Sequence, residues 1–146
     1  MSDVDTATRA AGASRLARVC MASFGAVTML IIEFILGMIY NLYGTAPTAS
    51  KSVGLFSSPV LALHVIMSIL LLVAAVMLLV RAIGARHRLT IWMSALGLAA
   101  IVAAGFAGLG YTGNGAAGAS LGMSLAFAVS LACYVVIILA ASPSTT

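Results

Sequence analysis

Two side chains stand out for their chemistry, because each is an ionisable group within a long hydrophobic segment. Glu33 is the only acidic residue after the first five positions, and His64 is one of two histidines in the chain. A charge at the centre of a bilayer costs about 3 kcal/mol or more unless it is paired, neutralised or turned toward a polar cavity. Both residues are therefore expected to serve a function.

A haem site is the leading hypothesis for His64. A neutral imidazole is a good axial ligand for haem iron, and the core of a helical bundle is a common place for haem. We expect His64 to bind the iron of one haem b, with Met123 as the sixth ligand and Met67 as the second choice for that position. No second histidine falls in a hydrophobic segment, which excludes a two-haem chain that conducts electrons across the membrane.

Other polar side chains are expected at a similar depth, since the rise of a helix, about 1.5 Å per residue, places them in the outer half of the membrane. The residues expected to orient a ligand or substrate are Tyr40, Asn41, Ser120 and Ser124. The inner half is expected to carry far less polarity. The hypothesis predicts redox or peroxide and oxygen chemistry on the outer side by a haem-dependent oxidoreductase, with Glu33 relaying protons to a reduced oxygen species.

The first hydrophobic segment has one small and polar face. Glu33, Gly37, Asn41 and Gly44 are separated by four, four and three residues. These spacings place them on the same side of a helix. We expect this face to point into a bundle and not toward lipid.

The composition indicates an integral membrane protein. Of the 146 residues, 63% are hydrophobic and 7% are charged, whereas a soluble domain has roughly 25% charged residues. Segments long enough to span a bilayer lie at about 18–44, 59–83, 89–111 and 116–140. Short connections favour antiparallel neighbours. The predicted fold class is therefore all-α, a four-transmembrane-helix antiparallel bundle forming one domain over 18–141.

Three segments are expected outside the bilayer. Residues 1–17 are polar and predict a mobile tail, and residues 142–146 predict a second, short tail. Residues 45–58 form the one long loop, which either caps the outer mouth of the bundle or is an exposed connector. Ser58 and Pro59 are typical of a helix start, as N-cap and first helical residue.

The distribution of basic residues predicts the topology. Arginines precede the first segment and lie between the second and third, whereas the other side has one lysine; they are Arg9, Arg15, Arg18, Arg81, Arg86, Arg88 and Lys51. The positive-inside rule then places both termini in the cytoplasm. We expect a multi-pass protein of a bacterial inner membrane, and the net charge of +4 is not taken as a sign of nucleic-acid binding.

Cys20 and Cys133 are predicted to be free thiols, because both fall near the cytoplasmic ends of their segments. The chain has no Cys-x-x-Cys motif. Thiol–disulfide chemistry is therefore disfavoured.

Three stretches carry an overall resemblance: LGMIYNLYG at the end of the first segment, a histidine early in the second, and GASLGMSLAF at the start of the fourth. With these features the chain is similar to small uncharacterised four-helix integral membrane proteins of bacteria. The resemblance implies the fold and neither an activity nor site residues.

A transporter is the alternative hypothesis. A lone intramembrane glutamate in the first of four helices, Glu33, resembles the small multidrug-resistance transporters, which are short four-helix chains that work as dimers. The resemblance covers hydropathy and Glu33, and the long outer loop departs from that family's short loops. It implies exchange of a proton for a cation at Glu33, with His64 and the tyrosines shaping an outer gate.

An accessory subunit of a larger membrane complex is the third hypothesis. Gly118 and Gly122 form a GxxxG pair, and Ala104 and Gly108 are another small pair four residues apart. Such faces let helices approach closely, so we expect a homodimer. In an accessory subunit, Glu33 would pair with a lysine or arginine of a partner. A haem protein would instead need a redox partner.

Overall fold

The computed structural model describes residues 3–48 and 50–142, with the side chains of residues 3–11 and 117 left out of that description. This part of the chain is all-α. Its four helices are α1 (Asp3–Tyr43), α2 (Pro59–Ala85), α3 (Arg88–Asn114) and α4 (Ala117–Ala141). The described residues contain no β-strand, only an isolated bridge between Thr48 and Lys51. The predicted fold class is confirmed.

All four helices are long and apolar enough to cross a membrane. The qualifying segments are Gly12–Tyr43, Pro59–Ala85, Arg88–Asn114 and Gly118–Ala141. A helix of 27 residues, the length of α2 and α3, extends about 40 Å, compared with a hydrocarbon core of about 30 Å. Each helix is therefore longer than the hydrocarbon core is thick and extends beyond it.

The first helix begins earlier than expected. The sequence predicts its start near residue 18, but α1 begins at Asp3, so residues 3–17, expected as a mobile tail, are helical and continuous with the membrane segment. Alanine is the best helix former, and this stretch is rich in alanine, without a proline to stop the helix.

The helices form a ring in chain order. α1 packs against α2 and α4, and α3 packs against the same two helices, so α1 faces α3 and α2 faces α4 along the diagonals. Arg15 Nη1 donates to the carbonyl oxygen of Gly84 at 3.3 Å, which joins the start of α1 to the end of α2. We call this end of the bundle, which carries the α2–α3 turn, the arginine end, and the opposite end the loop end.

The dense core lies toward the arginine end. Its buried members come from all four helices and include Leu78, Tyr134 and Ile137, each with no exposed surface. The Tyr134 ring lies directly on Gly97 of α3, where a Cβ atom would come within 2.5 Å of the ring. Gly97 thus allows α3 and α4 to approach closely. Cys20 and Cys133 are both free, as predicted.

The long loop lies over the loop end. The backbone N–H of Val53 donates to the carbonyl oxygen of Thr112 at 2.9 Å, and Gly115, with a left-handed φ of 67°, lies against the backbone of Pro47. Leu55 lines the cavity below. Leu55 of this loop thus reaches the cavity, whereas Phe56 beside it is exposed. The helix start is as expected, because Ser58 Oγ accepts from the Leu61 N–H at 3.2 Å.

Candidate functional site

Glu33, His64 and Ser68 form one polar group between α1 and α2, which we call the carboxylate–imidazole cluster. Glu33 Oε1 lies 3.2 Å from His64 Nδ1. Ser68 Oγ donates to the same carboxylate oxygen and also lies 3.0 Å from the carbonyl oxygen of His64. The spacing of four residues between His64 and Ser68 places both on the face of α2 that meets α1.

Gly37 provides the space for the imidazole. It lies one helical turn beyond Glu33 on the same face of α1. A Cβ atom at Gly37 would come within 3.3 Å of His64 Cε1. The small face expected of the first hydrophobic segment thus receives the ring of His64.

The cluster is largely shielded from the surroundings. The side chains of Glu33 and His64 are 12% and 25% exposed. Glu33 Oε2 is buried and has no hydrogen-bond partner among the described residues. His64 Nδ1 is within ion-pair distance of Glu33 but is not aligned for a hydrogen bond, since the same atom has no partner by hydrogen-bond geometry. We therefore describe the contact as a close approach of the carboxylate oxygen to the ring nitrogen.

The pair has no net charge when it holds one proton. A carboxylic acid beside a neutral imidazole and a carboxylate beside an imidazolium both sum to zero. Opposite partial charges at this separation attract each other strongly in an environment of low dielectric constant. Pairing therefore explains how a carboxyl group is tolerated in a membrane-spanning helix.

The cluster opens onto a cavity in the loop-end half of the bundle. The cavity has a volume of about 490 Å³, and all four helices contribute to its walls. Ligand pockets typically have volumes of about 300–1,000 Å³ and mostly apolar walls with few polar groups. The cavity-lining residues that the sequence analysis singled out as site candidates are Glu33, Tyr40, Asn41, His64, Ser120, Met123 and Ser124.

Met67 is the one site candidate that does not line the cavity. It precedes Ser68, and one residue along a helix is about 100° of rotation. Because Ser68 faces Glu33, the Met67 side chain points toward a different side of α2. Met67 therefore lies outside the cavity lining that the other site candidates share.

Met123 lies against α3, with its sulfur 3.5 Å from the position that a Cβ atom at Gly108 would take. Since α2 and α4 are diagonal in the bundle, His64 and Met123 line the cavity from opposite corners.

Polar contacts close the loop end of the cavity. Tyr111 Oη donates to Asn41 Oδ1 at 3.2 Å, which connects α3 to α1 along the diagonal. Tyr40 Oη donates to the carbonyl oxygen of Thr45 at 3.0 Å. Ser124 Oγ donates to the carbonyl oxygen of Ser120 in its own helix at 3.1 Å. The hydroxyl hydrogens of Tyr40 and Ser124 are thus in use, and their oxygens can still accept.

A haem would ask less of these residues than a bare metal ion. Among the described residues there is no group of three or more histidine, cysteine, aspartate or glutamate side chains that could hold an ion. A haem brings its own four nitrogen ligands and needs only axial ones from the protein. Since Glu33 is at Nδ1, the nitrogen of His64 that would take such a role is Nε2, which lies 3.9 Å from the position of a Cβ atom at Gly37. The cavity lining contains no lysine or arginine for the propionates, so these would rely on tyrosine, asparagine, Lys51 or water.

A second polar layer lies toward the arginine end, contrary to the expectation that this half carries little polarity. Ser94 Oγ and Tyr134 Oη are buried there without a hydrogen-bond partner among the described residues. Ser130 Oγ lies 3.2 Å from the Gly97 carbonyl oxygen and 2.9 Å from that of Ala126. Ser23 Oγ donates to the Val19 carbonyl oxygen. Ser23 and Ser130 thus bond to carbonyl oxygens of their own helices, and such serines are compatible with a membrane-spanning helix.

Comparisons of the chain with protein-family models, with curated proteins and with solved structures found no match. The function is therefore argued from the site alone.

Proposed function

We propose that the protein binds one haem b in this cavity, with Nε2 of His64 as the axial ligand. The observation that supports this most directly is the position of Glu33 at the other ring nitrogen, 3.2 Å from Nδ1. Histidines that bind metals almost always present their second nitrogen to a carboxylate, a carbonyl or water. The carboxylate fixes the orientation of the ring and raises the basicity of the nitrogen that binds the metal.

The cavity walls suit a planar apolar group. Small residues of α1 and α3, among them Gly37, Ala104, Gly105 and Gly108, line it. Met123 lies at the corner opposite His64, as a sixth ligand would. Asn41, Tyr40, Ser120 and Ser124 lie at its loop-end side and would orient the polar edge of the ligand.

When bound, haem supplies one-electron and oxygen chemistry. With both termini in the cytoplasm, as the arginine distribution predicts, the site lies in the outer half of the membrane. We therefore propose redox or peroxide and oxygen chemistry on the outer side of a bacterial inner membrane. Glu33, between Ser68 and His64, is the group that would hold and pass a proton.

The test is a visible absorption spectrum of the protein purified in mild detergent from cells with ample haem, before and after reduction with dithionite. We expect a Soret band that shifts on reduction, with about one haem per chain. His64→Ala should remove the band and leave a helical bundle. His87→Ala is the matched control, because His87 is the other histidine and precedes α3 in the exposed turn at the arginine end. A colourless wild-type protein, or an unchanged spectrum of His64→Ala, would contradict the proposal.

A second candidate function, proton-coupled cation transport, is favoured by one observation. Glu33 Oε2 is buried without a partner among the described residues, and Glu33 lines the cavity. A carboxyl group that releases a proton there gains the charge needed to receive a cation. The test is accumulation of a lipophilic cation in vesicles under a proton gradient. Transport by wild type, its loss in Glu33→Gln and a colourless protein would favour this function over haem binding.

The third hypothesis, an accessory subunit, receives less support. It assigned to Glu33 a basic partner from another protein, but His64 and Ser68 of the same chain already contact its carboxylate. The internal partners remove that reason for expecting an external one.

A further inference from the structure

The loop end of the cavity is covered. The Asn41–Tyr111 hydrogen bond runs across it from α1 to α3, and Leu55 of the long loop lines the cavity beneath the loop backbone. The loop is held in place at Val53, which donates to Thr112. A molecule from the outer water would have to displace these contacts to reach the site.

The flank between α2 and α3 is different. Several apolar residues there both line the cavity and are exposed on the outside of the bundle, which is the property of residues at the edge of an opening. We call this edge the lateral opening, formed by Ile69, Leu72, Val102, Gly105 and Leu109.

The helical spacing supports this placement. On α2, Ile69 follows Ser68 by one residue and lies about 100° around the helix from the face that meets α1. On α3, Leu109 likewise lies about 100° from Gly108, the position that meets Met123 of α4. A Cβ atom at Gly105 would have no neighbour within 4 Å. Among the described residues, no hydrogen bond joins α2 and α3 at this level.

The opposite flank has a closing contact. Phe34 of α1 and Phe127 of α4 stack with their ring centroids 4.6 Å apart. Both rings also line the cavity. Phe34 and Met38 of this flank are also exposed and line the cavity. The two flanks therefore differ in the stacked ring pair, which joins one of them, and in the open space at Gly105 on the other.

We propose that the cavity takes its ligand from the bilayer, through the lateral opening, and that this ligand is a lipid-soluble molecule. The walls it passes are apolar, and inside it meets the carboxylate–imidazole cluster and the hydroxyl and amide groups of the loop-end side. The ligand thus has an apolar body and a polar or metal-bearing centre that reaches His64. Haem has these properties, but the route is argued from the walls and stands apart from the haem assignment.

The experiment is spin-label accessibility in lipid vesicles. A nitroxide is attached to Ala104→Cys, on the cavity wall, in the full chain with Cys20→Ser and Cys133→Ala. Collisions are measured with molecular oxygen, which concentrates in lipid, and with a water-soluble nickel chelate. We expect oxygen to reach the label several-fold more effectively than the chelate. Ile101→Cys, on the cavity floor, is the second reporter if the Ala104→Cys variant does not fold.

The matched pair of variants tests the route itself. Gly105→Phe places a ring in the lateral opening and should lower oxygen access to the label severely. Gly110→Phe adds the same ring to α3 at another position with open space, but Gly110 does not line the cavity, so access should be unchanged. Higher access for the chelate than for oxygen, low access for both, or equal effects of the two variants would overturn the proposal.

The haem assignment is tested separately by the same proteins. If the protein is colourless and oxygen reaches the label, the lateral route is supported and the haem assignment is contradicted. If the protein binds haem and mainly the chelate reaches the label, the haem assignment is supported and the lateral route is contradicted.

Discussion

At the scale of the residue, the feature that governs the site is the combination of Glu33 with His64. Either group alone would be costly in a membrane-spanning helix, whereas the pair can hold one proton and remain neutral. Ser68 adds a hydroxyl donor to the carboxylate, which fixes it on α2. The proposed ligand binding through Nε2 and the proposed proton transfer through the carboxyl group would both use this arrangement, so the two candidate functions share their residues.

The fit of His64 against Gly37 gives a prediction at this scale. Gly37→Ala introduces a Cβ atom within 3.3 Å of His64 Cε1, so the ring must move by a few tenths of an ångström, which disturbs its approach to Glu33. We expect a weaker haem affinity, by about tenfold, as is common when the group that orients a metal ligand is disturbed. Haem titration of the purified apoprotein measures it.

The control for this prediction is Gly25→Ala, at a position on the same helix where a Cβ atom meets nothing within 4 Å. Its haem affinity should equal that of wild type. Equal losses in both variants would mean that α1 as a whole, and not the seat of the imidazole, determines binding.

At the scale of the element, hydropathy was sufficient to find the four helices. It missed the start of α1, because hydropathy marks only the part of a helix that lies in the bilayer. The alanine-rich stretch before that part has no stop signal, so the helix continues through it. It also could not pair Glu33 with His64. Spacing tells which residues share a face of one helix and at what depth, but the rotation of one helix relative to its neighbour depends on packing. The exclusion of Met67 from the cavity follows from that same rotation.

The contact between Gly97 and Tyr134 gives a prediction for the α3–α4 pair. Gly97→Ala would place a Cβ atom within 2.5 Å of a fully buried ring, and such overpacking typically costs about 1–3 kcal/mol. We expect a lower unfolding midpoint in denaturing detergent. The double variant Gly97→Ala with Tyr134→Leu should recover part of the loss, because the smaller side chain relieves the clash.

Gly110→Ala serves as the comparison for that experiment, since its Cβ atom meets no neighbour. Its unfolding midpoint should stay close to that of wild type. A Gly97→Ala protein as stable as Gly110→Ala would show that α3 and α4 can separate there without loss.

At the scale of the whole molecule, the bundle divides into a packed half at the arginine end and a hollow half at the loop end. In the predicted homodimer, the contact between protomers has to lie on the outer surface of this bundle. Gly122 of the GxxxG pair already packs within the chain, where a Cβ atom would lie 3.7 Å from that of Ala107. Gly118 is exposed with open space around it, so it is the member of the pair left for another protomer.

We therefore expect Gly118→Leu to lower the dimer fraction in lipid vesicles, as measured by energy transfer between labelled chains. Gly113→Leu, at another exposed glycine with open space, should leave the dimer fraction unchanged. Absence of energy transfer in wild type, or equal effects of both variants, would contradict a dimer through this face.

The depth of His64 has an electrical consequence. It lies five residues beyond the start of α2, about 8 Å along the helix. Because α2 is about 10 Å longer than a 30 Å hydrocarbon core, at most about a quarter of that core separates His64 from the water at the loop end. An electron or cation that reaches it from that water would cross at most about a quarter of the transmembrane voltage, which corresponds to at most about 0.6 kcal/mol per 100 mV. A proton that moves between Glu33 and His64 crosses almost none of it. Charging the membrane would thus shift the midpoint potential or the cation affinity of the site while leaving the internal proton exchange nearly untouched.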